Sequence, residues 1–393
     1  MPSDDNKRIL KNTVFLYIRM FLLIIVAFYT TRVVLQVLGV DDFGLYNVVA
    51  GFVALITFVN QSITNSIQRF LNFEMGKGIK SSINTYFGVS LLTQLLISGI
   101  ILTLAETIGL WFINTKLNIP GGQYLAANVV YQTSVISVII KIFQSPFNAI
   151  VIAKEKMQFY AVISLVEAFA QLGVVYILMV VTTKRLILYG ILLLIVALIV
   201  FISNVVYVKH LLPELRIRLI YNKDYFYKLT SFCGWNLLGS CSGVIKSQGI
   251  NVLLNIFFNV VVNAARGISF QVLSGITRFS SNFQVAMYPQ IIQSYAQGNM
   301  ERYFQLSYAC SKISLYFMWI LTLPVIVCTQ YILKLWLGNN VPEYSVIFVQ
   351  IVLLTGLIDS LASAIATQIY ATGEIKRYQI DNSSVKNAEV IES

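Results

Sequence analysis

Hydrophobic runs of twenty or more residues recur along almost the whole chain, separated by short polar stretches. Runs of that length match the thickness of a bilayer crossed by an α-helix, the element that satisfies its own backbone in lipid. The pattern predicts ten spans: 13–38, 44–70, 84–112, 124–153, 157–182, 186–208, 230–258, 262–295, 304–335 and 344–372. Two of them carry more polarity than lipid tolerates. Span seven holds Asn236, Ser240, Lys246, Ser247, Asn251 and Asn255 among its apolar residues. In span eight, at about 100° per residue, Asn263, Arg266, Ser274, Thr277, Arg278 and Ser281 fall within roughly one third of the circumference. Polar stripes with central cations on consecutive helices predict a lumen that holds something polar and anionic.

Composition agrees with the pattern. The 393 residues are 57% hydrophobic and 11% charged, about half the charge fraction of an ordinary soluble protein. The net charge of +11 could suggest nucleic acid, but the cations sit mainly in alternate loops. With the N-terminus, the loops after even-numbered spans hold sixteen Lys and Arg against five on the opposite side, which predicts a cytoplasmic N-terminus. The distribution therefore points to membrane topology, with no nucleic-acid partner. Residues 1–12 are polar, and the first apolar run is too long, and contains Arg19 and Arg32, to be a removable leader. The four cysteines, Cys233, Cys241, Cys310 and Cys328, lie in apolar segments without metal or disulfide spacing. No metal or other cofactor is called for.

The longest internal loop, 209–229, is basic and divides six spans from four. The expected organisation is an N-terminal six-helix bundle over 1–208, a cytoplasmic basic linker over 209–229, a C-terminal bundle over 230–372 with four helices, and a polar tail over 373–393. The end of span one, VLGVDDFGLYNVVAGF, and the end of span seven, IFFNVVVNAARGISFQ, each lead into a polar-striped helix. A parallel repeat of a six-helix unit accounts for this. On that basis two more spans are expected after Arg377, where the chain instead turns polar: either ten spans are the design or the last two are missing by truncation or frameshift, and the second bundle reads as truncated.

Several stretches carry a resemblance. They are VLGVDDFGLYNVVAGF (37–52), SIQRFLNFEMGKG (66–78), SPFNAIVIAKEKMQFYA (145–161), WNLLGSCSGVIKSQGINVLLNIFFNVVVNAARGI (235–268), YPQIIQSYAQGN (288–299) and YATGEIKRYQI (370–380). Together the chain resembles the bacterial oligosaccharide flippases, the lipopolysaccharide or polysaccharide biosynthesis proteins of the multidrug/oligosaccharidyl-lipid/polysaccharide exporter superfamily. The resemblance implies an all-α polytopic protein of two six-helix bundles around a central cavity, working by alternating access. Its implied cargo is a polyprenyl-pyrophosphate-linked oligosaccharide, moved from the inner to the outer leaflet of the bacterial inner membrane. The resemblance leaves room for polysaccharide polymerase and chain-length proteins as partners, and the oligomeric state is open. Members usually have twelve or more spans, so the short C-terminus bears on activity more than on fold.

Lys141, Lys246 and Arg278 lie near the middle of spans four, seven and eight, too deep to snorkel easily. Fixed cations suit a pyrophosphate in a low-dielectric cavity; the alternative for each is neutralisation by a buried carboxylate or backbone carbonyls. Arg19 and Arg32 lie about two turns from their span centre, where snorkelling explains them as well. Arg266 falls at the outer end of span eight, on the Arg278 stripe. Intramembrane acids are scarcer. Glu167 in span five and Asp359 in span ten could bind a coupling ion in one state only, or could pair with a lumenal cation. In span two, Asn60, Asn65 and Gln68 recur at helical spacing, either to contact sugar or to bond neighbouring helices.

No G-x-x-x-x-G-K-[ST] occurs anywhere in the sequence, which argues against ATP hydrolysis. The outer loops are too short for the folded domain of a membrane glycan polymerase or ligase. A non-enzymatic flippase is the expectation. A cation-coupled multidrug antiporter of the same superfamily is its nearest rival.

Overall fold

The computed structural model describes residues 4–54, 57–78, 80–115, 123–181, 184–257, 260–337 and 341–381. Nearly all of them are helical, and no strand occurs among them. The helices are α1 (Asp4–Ala54), α2 (Thr57–Lys77), α3 (Lys80–Leu104), α4 (Leu110–Thr115), α5 (Tyr124–Ala153), α6 (Met157–Val180) and α7 (Arg185–Leu211). After the linker come α8 (Lys223–Phe257), α9 (Val260–Ala296), α10 (Met300–Val327), α11 (Thr329–Leu337) and α12 (Ser345–Thr372).

The ten expected spans fall on this series with small shifts at their edges. Gly39, at φ 80°, divides α1 into the end of span one and the start of span two, a backbone angle that glycine adopts without steric cost. Span three continues from α3 through a π-helical turn, Ala105–Gly109, into α4. A π turn leaves carbonyls misaligned with the regular ladder, and the Tyr131 hydroxyl donates to the Ala105 carbonyl at 2.8 Å. Span nine breaks at Cys328, just after Pro324, which lies inside α10 and cannot donate to the ladder. By length and apolar content, seven of the described helical segments qualify to cross a membrane. The long helices left over, α2, α8 and α9, are those on which the sequence placed polar stripes.

The chain divides into two compact units: Met1–Thr13, Asn72–Gly78 and Gly234–Ser393 form one, Val14–Leu71 and Ile79–Cys233 the other. In the second, α1 residues Val33, Val34 and Val37 pack with Val174, Val175 and Leu178 of α6 and with Tyr189, Val196 and Val200 of α7. β-Branched side chains have few rotamers to lose in a helix, which suits packing where lipid gives helices little hydrophobic reason to associate. In the first unit, Phe283, Met287, Ile291 and Ile292 of α9 pack with Tyr303, Leu306 and Cys310 of α10 and Ala371 of α12. Large apolar side chains such as Ile199, Ile320 and Ile358 point outward, as expected of helices whose outer solvent is hydrocarbon. The protein is a multi-pass membrane protein.

The GxxxG pair at Gly239 and Gly243 suggests a close contact, and at Gly239 the structure supplies one of an unexpected kind. A Cβ there would collide with the side-chain amide of Gln379. That amide donates to Tyr370 Oη at 2.8 Å and to Asn236 Oδ1 at 3.4 Å, while Lys376 Nζ lies 5.5 Å from the Trp235 ring centroid. The segment after α12 thus folds back onto the start of α8.

Candidate functional site

In the second unit, α6 presents a polar face at helical spacing: Tyr160, Ser164, Glu167 and Gln171. Two cations from neighbouring helices meet this face. Lys141 Nζ of α5 lies 3.3 Å from Glu167 Oε1, and Gln171 Nε2 donates to the same carboxylate at 3.4 Å. Arg19 of α1 places its guanidinium carbon 4.5 Å from the Tyr160 ring centroid, where the ring quadrupole attracts it. The Arg19 Nε is buried without a hydrogen-bond partner. Lys141 and Glu167, expected as a cavity cation and an ion-coupling acid or else as charges neutralised by a partner, form a single ion pair. Its side chains are 49% and 26% exposed. Arg32, farther along α1, is exposed, and no acid lies within ion-pair distance of it among the described residues.

In the first unit, the α9 stripe splits. Arg266 is only 7% exposed, with its guanidinium carbon 4.7 Å from the Phe270 ring centroid. Ser274, Arg278 and Ser281 are exposed. Among the described residues no carboxylate is within ion-pair distance of Arg278. The same holds for Asp359 of α12, also exposed.

The Arg266 edge of the stripe, continued along α9 by Leu273 and Gln284 at 100° per residue, holds the bundle together. Gln284 Nε2 points at Ser280 Oγ (3.3 Å) on its own helix, at Ser314 Oγ (3.3 Å) on α10 and at Ser363 Oγ (3.1 Å) on α12. Gly356 of α12 makes room for Leu273 of α9. The contacts Leu273–Gly356 and Gln284–Ser363 both advance along the two chains, so α9 and α12 run parallel. Arg278 and Asp359 fall between these contacts and differ in depth by about 3 Å at 1.5 Å per residue.

Of the α2 residues, Gln68 is buried and Asn65 is exposed and makes contacts of its own. The side chains of Asn60 and Lys246 lie outside the described residues. No group of His, Cys, Asp or Glu able to hold a metal ion occurs among the described residues, and the four cysteines are free thiols. Sequence reasoning missed Tyr160 as the cover of Arg19. A signal was present, since Tyr160, Ser164, Glu167 and Gln171 recur at one face of a helix.

The arrangement resembles known structures over nearly its whole length. A crystal structure of a MATE mutant aligns with a TM-score of 0.82 at 10% identity, covering 97% of this chain and 86% of that one. The chain has a MATE-like fold. An outward-facing multidrug resistance MATE family transporter of the MOP superfamily aligns at TM-score 0.78 and 11% identity, with 97% and 86% coverage. A MOP superfamily transporter from Pyrococcus furiosus, whose binding pocket has reverse polarity suggesting a different function, aligns at 0.75 and 10% identity, again over 97% and 86%. No protein-family model matches the sequence, and no curated protein matches it.

Proposed function

We propose that this chain is a non-enzymatic transporter that moves a polyprenyl-pyrophosphate-linked oligosaccharide from the inner to the outer leaflet of the cytoplasmic membrane by alternating access, for surface polysaccharide assembly. The observation that carries this reading is the state of Arg278. It lies mid-helix on a membrane protein, exposed and without a carboxylate neighbour among the described residues. A guanidinium at such depth is costly unless something polar meets it, and its planar donors match phosphate oxygens in pairs. In this account Arg278 contacts the pyrophosphate from the unit that carries α9. The resemblance of the stretches quoted above supports the same cargo. That a similar fold carries a pocket of reverse polarity supports a scaffold that accepts cargo of more than one charge.

The test is complementation of a flippase-deficient bacterium with the full chain. Arg278→Ala is expected to abolish surface glycan at unchanged membrane abundance, and Arg278→Lys to restore part of it. Wild-type glycan from Arg278→Ala would overturn the pyrophosphate assignment.

A second reading, a cation-coupled multidrug antiporter, is favoured by Asp359. An exposed, unpaired acid on a spanning helix suits reversible ion binding, and multidrug transporters are among the structures similar to this chain.

A further inference from the structure

The linker between α7 and α8 is not a slack loop. Asn84 of α3 donates to the Glu214 carbonyl at 3.4 Å and accepts from the Arg216 N–H at 3.0 Å. Four residues further along α3, the Gly88 carbonyl accepts from the Ile220 N–H at 3.4 Å. A Cβ at Gly88 would strike both the Ile220 side chain and the Arg218 carbonyl, so only glycine lets the strap lie this close. Tyr86 stacks on Tyr225 with ring centroids 4.2 Å apart, and Asn222 Oδ1 accepts from the Tyr225 N–H at 3.1 Å, capping α8.

This strap lies at a definite depth. The membrane-crossing segment containing α3 begins at Ser82, so Asn84 and Gly88 sit about 3 and 9 Å inside its start at 1.5 Å per residue. The segment runs for 34 residues, about 51 Å at 1.5 Å per residue and well beyond the ~30 Å hydrocarbon core, so its first turns reach headgroup level. The outward side of the strap exposes Ile217, Leu219 and Tyr221 by 39%, 56% and 69%, interleaved with exposed Arg216 and Arg218. Between Lys209 and Lys228 the chain carries five Lys and Arg against two acids. At the root of the strap is a cavity of about 330 Å³, walled by Ile83, Leu211, Leu212, Pro213 and Leu215, with Asn84, Lys154 and one acid, Glu214, at its polar side. No acid lies within ion-pair distance of Lys154 among the described residues.

We propose that the strap and the cavity at its root bind an anionic phospholipid, with Lys154, Arg216 and Arg218 taking the headgroup phosphate and the leucines receiving the acyl chain. Apolar side chains exposed beside cations are unfavourable in bulk water but stable at a lipid interface. Basic segments next to a spanning helix attract anionic headgroups. The same cations also serve as topology signals, but a topology signal requires neither a pinned backbone nor a cavity. The inference does not depend on the cargo or the orientation assigned above.

The test equilibrates the purified full chain with equal amounts of phosphatidylglycerol and phosphatidylcholine and counts retained lipids by native mass spectrometry. Wild type is expected to retain phosphatidylglycerol in clear excess. Lys154→Gln/Arg216→Gln/Arg218→Gln is expected to reduce that excess by on the order of fivefold per cation. Arg216→Lys/Arg218→Lys, and Lys376→Gln/Arg377→Gln in the other unit, are expected to keep it. Equal retention of the two lipids by wild type, or undiminished enrichment in the triple glutamine variant, would overturn the proposal.

Discussion

The ammonium of Lys141 on α5 sits 3.3 Å from the carboxylate of Glu167 on α6, so two mid-span charges of opposite sign neutralise each other. Removing one partner leaves the other without its counter-charge, and Glu167 is the less exposed of the two. Lys141→Met alone is therefore expected to lower thermal stability in detergent, and Lys141→Met/Glu167→Gln to recover most of it. With both side chains partly exposed, the coupling energy is expected to be on the order of 1 kcal/mol. A double-mutant cycle measures it, and simple additivity of the two changes would contradict the pairing.

Gly239 faces Gln379, which fills the space a Cβ would need. Gly239→Ala is expected to push the segment after α12 off α8 and to destabilise by about 1–3 kcal/mol, the usual cost of overpacking. Gln379→Ala in the same chain should relieve most of that loss. Thermal unfolding of the single and double variants checks this, and an unrescued Gly239→Ala would contradict it.

Gln284 aims one amide at hydroxyls on three helices. Interhelical hydrogen bonds in membrane proteins contribute roughly 0.6 kcal/mol on average and at most about 2. Gln284→Leu is expected to lose an amount in that range, read by unfolding in mixed micelles, and an unchanged midpoint would show that the junction contributes nothing.

Much of this fold is legible in the sequence because lipid imposes a simple rule on length and polarity. The fourth span, 124–153, coincides with α5, since polar residues bound it on both sides. Span edges blur where the helix itself is irregular, as at the π turn before α4 and the break at Cys328. The site is less legible. The stripe on α9 is wide enough to put Arg266 and Arg278 about 120° apart at its two edges; the first is buried over Phe270 and the second exposed, because only the Arg266 edge, shared by Gln284, packs into the bundle. Lys141 and Glu167 are each visible as mid-span charges, but their pairing depends on the register of α5 against α6. The same holds for Arg19 and Tyr160, 141 positions apart in the sequence. Periodicity within one helix carries no information on register between two.

Asp359 separates the two transport readings. If a cation drives drug export, Asp359→Asn is expected to abolish proton- or sodium-dependent drug efflux from cells expressing the full chain. If the cargo is a lipid-linked glycan, the same variant should leave drug sensitivity where it is without the transporter. Ethidium efflux with and without an imposed ion gradient distinguishes these results.

Arg278 decides the central claim. Purified full chain in nanodiscs should bind a polyprenyl-pyrophosphate glycan and should be competed by inorganic pyrophosphate, with affinity falling as salt rises. Arg278→Ala is expected to weaken that binding by about tenfold or more, the scale of one charge-assisted phosphate contact at about 1.5–3 kcal/mol. Titration of wild type and Arg278→Ala with the same labelled lipid measures it directly. Indistinguishable affinities for the two proteins, or salt-independent binding by wild type, would contradict the account.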